Sequence, residues 1–207
     1  MFSNNGSSRN GNSMSFIRAI HTVPDAPNVD LYVNDRLAVR NLAYGNYTDY
    51  MPIPEGMYRI SLYVAGSTDS PVLVNMLNIG GNSELTVAAA GTLSTIGFLA
   101  ISDANTQMET NKAMVRFLHL SPNAPAVDIT LPDGTVIFNN VSFEHITNYI
   151  AVSPMAYTLQ VRVAGTNNVV LTVPNINLAA DEYYTVYAIG LVGETPELKA
   201  LLISDGR

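Results

Sequence analysis

The residues with chemistry to offer recur in a fixed pattern. Arg18, His21 and Asp30 stand in the stretch IRAIHTVPDAPNVDL, and Arg116, His119 and Asp128 stand 98 residues later in VRFLHLSPNAPAVDI. Pro24 and Pro27 punctuate the first stretch, Pro122 and Pro125 the second. Imidazole beside carboxylates could move a proton or hold a cation. His21, Asp25 and Asp30 are the candidates for such a small site. In the second stretch Asp128 is the counterpart of Asp30, and Asn123 replaces Asp25 with an amide carbonyl. Calcium needs six or more oxygens, so Asp25, Asp30 and Asp128 are weak cation candidates only. The spacing favours another reading. Each of Asp30 and Asp128 follows a valine at the start of a strand, where a carboxylate accepts backbone N–H groups across a turn. Each histidine lies in an apolar strand, where an imidazole bonded to backbone is expected. With one further histidine, His145, and no cysteine, transition metals find few ligands. No metal and no cofactor is expected.

Nucleophilic catalysis has no better support. Serines are plentiful, but there is no G-x-S-x-G elbow. Ile79-Gly80-Gly81-Asn82 lacks the Lys-Ser/Thr of a phosphate-binding loop. Paired carboxylates for glycoside hydrolysis stay open, without the tryptophan platforms that usually accompany them, because Trp is zero. The expectation is a protein that is not an enzyme. Tyrosine is the abundant aromatic, with 11 residues. Tyr44, Tyr47 and Tyr50 form one cluster and Tyr183, Tyr184 and Tyr187 another, suited to a wet protein interface or a ligand platform; the interface is favoured.

The elements that must position these residues are strands. Phe16–His21, Asp30–Asn34, Tyr58–Ala65, Val72–Leu77, Ser83–Ala90 and Thr95–Ile101 are short, β-branched or aromatic, and bounded by turn residues. Alternation places Ile60, Leu62 and Val64 on one face, and Leu159, Val161 and Val163 likewise, as in antiparallel sheets packed on one side. Six or seven strands per copy with no helical period predict an all-β fold: two tandem immunoglobulin-like or transthyretin-like antiparallel β-sandwich domains.

The duplication runs well beyond the opening stretch. Tyr50 matches Tyr149, Val64-Ala65-Gly66 matches Val163-Ala164-Gly165, Thr86-Val87 matches Thr185-Val186, and Ile101-Ser102-Asp103 matches Ile203-Ser204-Asp205. Residues 15–104 and 113–207 are read as the two domains, 105–112 as a short polar linker, and 1–14 as a polar arm with Met1 and Phe2 as its apolar anchors. Charge narrows the partners. Ten Lys plus Arg against 17 Asp plus Glu give a net charge of −7, which excludes a basic phosphate-tracking face and a polybasic membrane module. No nucleic acid and no membrane insertion are expected.

The signature V-R-F-x-H-x-S-P-x-A-P-x-V-D-I, followed by the Tyr-x-Leu-x-Val-x-Val-Ala-Gly strand, resembles the DUF4397 family of bacterial β-sandwich domains. The likeness covers nearly all of both copies and is closer in the second. It implies tandem modules of cell-surface and secreted proteins, and it carries over no catalytic residue. Arg18, His21, Pro24, Pro27 and Asp30, with Arg116, His119, Pro122, Pro125 and Asp128, are its structural signature. The N-terminus has no apolar signal region. A product placed at the cell exterior or on a spore surface by another route is therefore expected; failing that, a cytoplasmic one. The functional expectation is a non-catalytic structural subunit of a filament or lattice, homo-oligomeric or homopolymeric, joined by β-mediated contacts with the arm as connector. Other surface proteins are further candidate partners. The alternative is a monomeric or dimeric adhesion or ligand-binding module.

Overall fold

The computed structural model describes residues 13–206, which form sixteen β-strands and no helix. The first half supplies β1 (Met14–His21), β2 (Val29–Val33), β3 (Arg36–Leu42), β4 (Met51–Pro54), β5 (Gly56–Val64), β6 (Leu73–Ile79), β7 (Glu84–Ala90) and β8 (Gly97–Ser102). The second half repeats the series as β9 (Ala113–His119), β10 (Val127–Thr130), β11 (Val136–Val141), β12 (Ile150–Val152), β13 (Ala156–Val163), β14 (Val169–Asn177), β15 (Glu182–Ile189) and β16 (Lys199–Asp205). Each half is a sandwich of two four-stranded sheets. The orders are β3-β2-β5-β6 and β4-β1-β7-β8 in the first half, β11-β10-β13-β14 and β12-β9-β15-β16 in the second. Pairing is antiparallel except for β1 with β7 and β9 with β15, which run parallel. The fold is all-β, as the alternation predicts.

Eight strands per half exceed the six or seven expected. The additions are β3 and β4. β3 is an edge strand, RLAVRNL, of which only Leu42 is buried, so it carries almost no apolar period to read. β4 contains Pro52 and Pro54 and pairs only with β1, the edge position that tolerates proline.

Burial divides the sheets into two kinds. In β5, Ile60 and Leu62 are buried in the first core; Val64 follows them in the alternation but lies at the strand end and is 37% exposed, while Met57 on the opposite face is 58% exposed. The sheets containing β1 and β9 behave differently. All seven residues of β9 are buried, and so are the last five of β1, β7 and β15. A sheet covered on both faces needs apolar residues at successive positions. One face of β4-β1-β7-β8 packs on its own half through Ala19, Val87 and Ala89. The other face joins a cluster of Ile20, Ala88, Ala90 and Ile101 with Leu118, Tyr187, Ile189 and Ile203 of the second half. The chain is thus a stack of four sheets, two outer and two inner, with a third apolar core where the halves meet.

Candidate functional site

The repeated signature builds the same device twice, and it is structural. His21 Nε2 lies 3.0 Å from the carbonyl of Pro27, and its Nδ1 accepts the N–H of Val23 at 3.3 Å. His119 does the same with Pro125 at 3.1 Å and Ser121 at 3.2 Å. A ring that accepts at Nδ1 and donates at Nε2 is neutral, and burial lowers the pKa of both histidines. The two Pro-x-Ala-Pro loops are thereby tied to their strands. Asp30 accepts the N–H groups of Asn41 at 2.6 Å and Gly66 at 3.0 Å. Asp128 accepts those of Asn140 and Gly165 at 2.7 and 2.8 Å. Asn41, Gly66, Asn140 and Gly165 all have positive φ, the conformation in which a turn leaves N–H groups to be captured. The pKa of Asp30 is lowered, first by the Gly66 N–H and then by that of Asn41.

Asp25 lies elsewhere, with its Oδ1 accepting the N–H of Leu93 at 2.8 Å. Its counterpart Asn123 accepts that of Val192, also at 2.8 Å. The weak cation candidates Asp25, Asp30 and Asp128 therefore do not converge. Among the described residues no group of three or more metal-ligating side chains forms.

The groups that do converge lie between the halves. Arg18 Nη2 donates to Asp205 Oδ1, its Nη1 to the carbonyl of Ser204 at 2.7 Å, and its Nε to Thr86 Oγ1 at 2.6 Å. Arg116 answers in kind: Nη2 to Asp103 Oδ1 at 2.6 Å, Nη1 to Ser102 O at 2.8 Å, and Nε to Thr185 Oγ1 at 2.8 Å. Each arginine reaches across to the other half's aspartate. The remaining aspartate oxygens are filled from their own side: Asp103 Oδ2 by Thr86 and Tyr50, Asp205 Oδ2 by Thr185 and Tyr149. Tyr50 and Tyr149 also cover the guanidinium faces, at 4.7 and 4.4 Å from ring centroid to Arg18 and Arg116. Both carboxylates are fully buried, and burial together with Asp205 raises the pKa of Asp103. Burial raises Tyr50 and Tyr149 as well.

This junction uses charges that are neutralised pairwise and hydrogen-bonded throughout, the condition under which buried ions persist. The sequence carried every part of it, since all eight side chains are repeat matches. An arginine inside an apolar strand was the available signal; what the spacing does not convey is that each arginine's partner belongs to the other copy.

The tyrosines are placed accordingly, and the expected outward-facing clusters are corrected. Tyr187 is fully buried in the core between the halves, and Tyr50 belongs to the junction. Tyr44 packs against that same core beneath Lys199, and burial pushes its pKa up to about 12. Tyr183 donates to the carbonyl of Thr106 in the linker at 2.6 Å, whereas Tyr184 packs its ring against the core of the second half and accepts the N–H of Ala179 at 3.2 Å. Only Tyr47 is exposed. The six tyrosines therefore share no single surface, although neighbours in sequence. Met1 and Phe2 lie outside the described residues.

The two outer sheets present unlike faces. On the first half, Arg59 lies opposite Met76 and Ser61 opposite Val74. Met57, Val74 and Met76 are 58%, 41% and 55% exposed. Tyr32 and Tyr63 stack edge to face beside them at 5.0 Å. On the second half the matching positions carry Thr130 for Tyr32, Arg162 for Tyr63 and Thr172 for Val74. The edges differ too. β14 contains Pro174 and its register with β13 shifts twice, features that obstruct pairing with another strand. β6 pairs with β5 over seven residues without a shift, and it contains no proline. The N–H of Met76 turns instead to Asn75 Oδ1 at 2.8 Å.

Two concave regions among the described residues lie near these features. A groove of about 470 Å³ runs past Met14, Asn82, Glu84, Ser102 and Asn105 and reaches Asp103, whose oxygens are already taken. A cavity of about 30 Å³ between the sheets of the second half is lined by apolar side chains, Phe117, Phe138 and Ile176 among them, and by the ring of Tyr157.

Comparison with curated proteins finds no match. Among protein families, the one described as a domain of unknown function, DUF4397, matches twice, over residues 15–130 and 131–207. The two segments join in the turn after β10. Together they take in both copies of the His, Pro-x-Ala-Pro and Asp device and both sides of the junction, and the chain belongs to the DUF4397 family.

Proposed function

We propose that the chain is a non-catalytic structural subunit of a bacterial surface assembly, joined to neighbouring copies along the β6 edge of its first half. The observation that carries this reading is β6 itself. It is a regular seven-residue edge, unguarded by proline or bulge, beside the exposed Met57, Val74 and Met76. Such an edge is a template for another strand, with main-chain hydrogen bonds supplying affinity and alternate side chains supplying register. The Asn75 amide on the Met76 N–H is a local substitute that an incoming carbonyl can displace. The reciprocal junction supports the same reading. It makes the two halves one stiff block, which lets a contact made at β6 be transmitted through the subunit. The bacterial surface, whether cell or spore, is proposed from the sequence resemblance alone.

The test is light scattering and negative-stain electron microscopy of the full chain beside Met76→Pro, with a chain lacking residues 1–12 as a third sample. Concentration-dependent assembly that Met76→Pro abolishes supports the reading, and loss on truncation assigns the arm as connector. A second reading draws on the Tyr32–Tyr63 pair, whose amphipathic rings suit an adhesive or ligand-binding face. Monomers at every concentration in all three samples would favour it.

A further inference from the structure

The junction between the halves is alike on its two sides in charge and unlike in size. The polar part is reciprocal: Arg18 with Asp205, Arg116 with Asp103, a threonine and a tyrosine behind each aspartate. A pairing of two first halves, or of two second halves, would contain the same complement of groups. The polar part alone therefore does not distinguish self from partner. The apolar part does. Along β7 and β15, which correspond through Thr86 and Thr185, the first half presents Ala88 and Ala90 where the second presents Tyr187 and Ile189. All four are buried in the one cluster that spans the junction. Two first halves would bring alanines together and leave a void; two second halves would bring together two tyrosines and two isoleucines in a space filled by one of each. Voids and overpacking both destabilise, and a mismatch built against the wrong partner is how an interface gains specificity.

We propose that this inner face is a heterospecific recognition surface, through which a first half binds the second half of another copy of the chain when its own is not available. The inference is independent of the β6 contact, since it uses the opposite sheet of the first half. The linker is where the halves can be separated: its anchors, Thr106 to Tyr183 and Asn111 to Asp181, fix it to the second half. Gln107 between them is exposed.

The experiment places a protease site between Gln107 and Met108 of the full chain. After cleavage, two preparations carrying different tags are mixed and the complexes are read by native mass spectrometry. The expected result is one-to-one complexes of a first with a second half, exchanging between preparations, about tenfold or more above either homodimer. Homodimers in equal amount, or cleaved halves that stay apart, would overturn the proposal. A second preparation carries Ala88→Tyr in the cleavable chain. Its second half should be captured by wild-type first halves while its own first half is left out, about tenfold or more reduced in complexes. Undiminished capture of that altered first half would overturn the size argument; should the variant fail to fold, the wild-type mixture still decides.

Discussion

The two halves of this chain use the same strands to different ends. Their inner sheets were kept equivalent wherever ions meet, Arg18 and Arg116 each finding an aspartate across the junction. Their outer sheets diverged: Tyr32, Tyr63 and Val74 on one side became Thr130, Arg162 and Thr172 on the other, and the regular β6 became the proline-bearing, shifted β14. Duplication tolerates drift where a face meets water and resists it where two buried charges depend on each other. The difference also separates structural from functional residues. Whatever acts on another molecule should lie where the copies differ, and whatever holds the block together where they agree.

The largest effects should come from the part the halves share. Arg116→Ala leaves Asp103 buried without its partner across the junction, and a loss of about 3–5 kcal/mol is expected. Arg18→Ala should cost a similar amount because the arrangement is reciprocal, and denaturant titration of both variants measures it. A large inequality between them would break the equivalence. A smaller loss, about 1–3 kcal/mol, is expected for Asp30→Ala or Asp128→Ala, since each strands two turn N–H groups.

The histidines give a pH dependence with a definite sign. Burial lowers the pKa of His21 and His119 in the folded chain from the ordinary 6.5, so the unfolded chain takes up protons first. Their contribution is fully present above about pH 6.5 and is lost as the pH falls below it. The melting temperature should therefore decline between about pH 7 and 5, and the slope should flatten in a His21→Asn, His119→Asn chain. The smallest effect sharpens the point at which the halves differ. Tyr187 has a buried hydroxyl without a hydrogen-bond partner where the first half has Ala88. Tyr187→Phe should raise stability by about 0.5–1 kcal/mol, seen as a shifted denaturation midpoint.

The fold was legible where one face was wet. The alternation in β5 and β13, and the turns around them, placed strands within a few residues of their observed ends. β3 and β4 escaped because edge strands with arginine, asparagine and proline have no apolar face to betray them. The double burial of the inner sheets was written in FIRAIH, VRFLHL and TVYAIG, runs without alternation, yet a run of that kind identifies burial and not the partner that provides it. Part of the device followed from local spacing, since His21 bonds Val23 and Pro27 and Asp30 bonds Asn41, while the Gly66 N–H on Asp30 comes from 36 residues away. The junction did not, because its two equivalent pairs have no common spacing: Arg18 and Asp205 lie 187 residues apart, Arg116 and Asp103 only 13. Nothing in a one-dimensional pattern indicates that matched residues of two copies will meet each other. The edges were legible only in part: Pro174 in β14 is visible in the sequence, but the two register shifts of β14 and the unbroken pairing of β6 appear only in the folded sheets.

The account rests most heavily on β6 as the contact edge, and Met76→Pro tests it most directly. The Met76 N–H is bonded to a side chain, so proline there should leave the sheet intact while denying the edge to another strand. Sedimentation velocity over a hundredfold range of concentration should show assemblies from the wild-type chain and monomers from Met76→Pro, with unchanged β content by circular dichroism. Assemblies of equal size from both would contradict the assignment of β6, and monomers from both would contradict self-assembly itself.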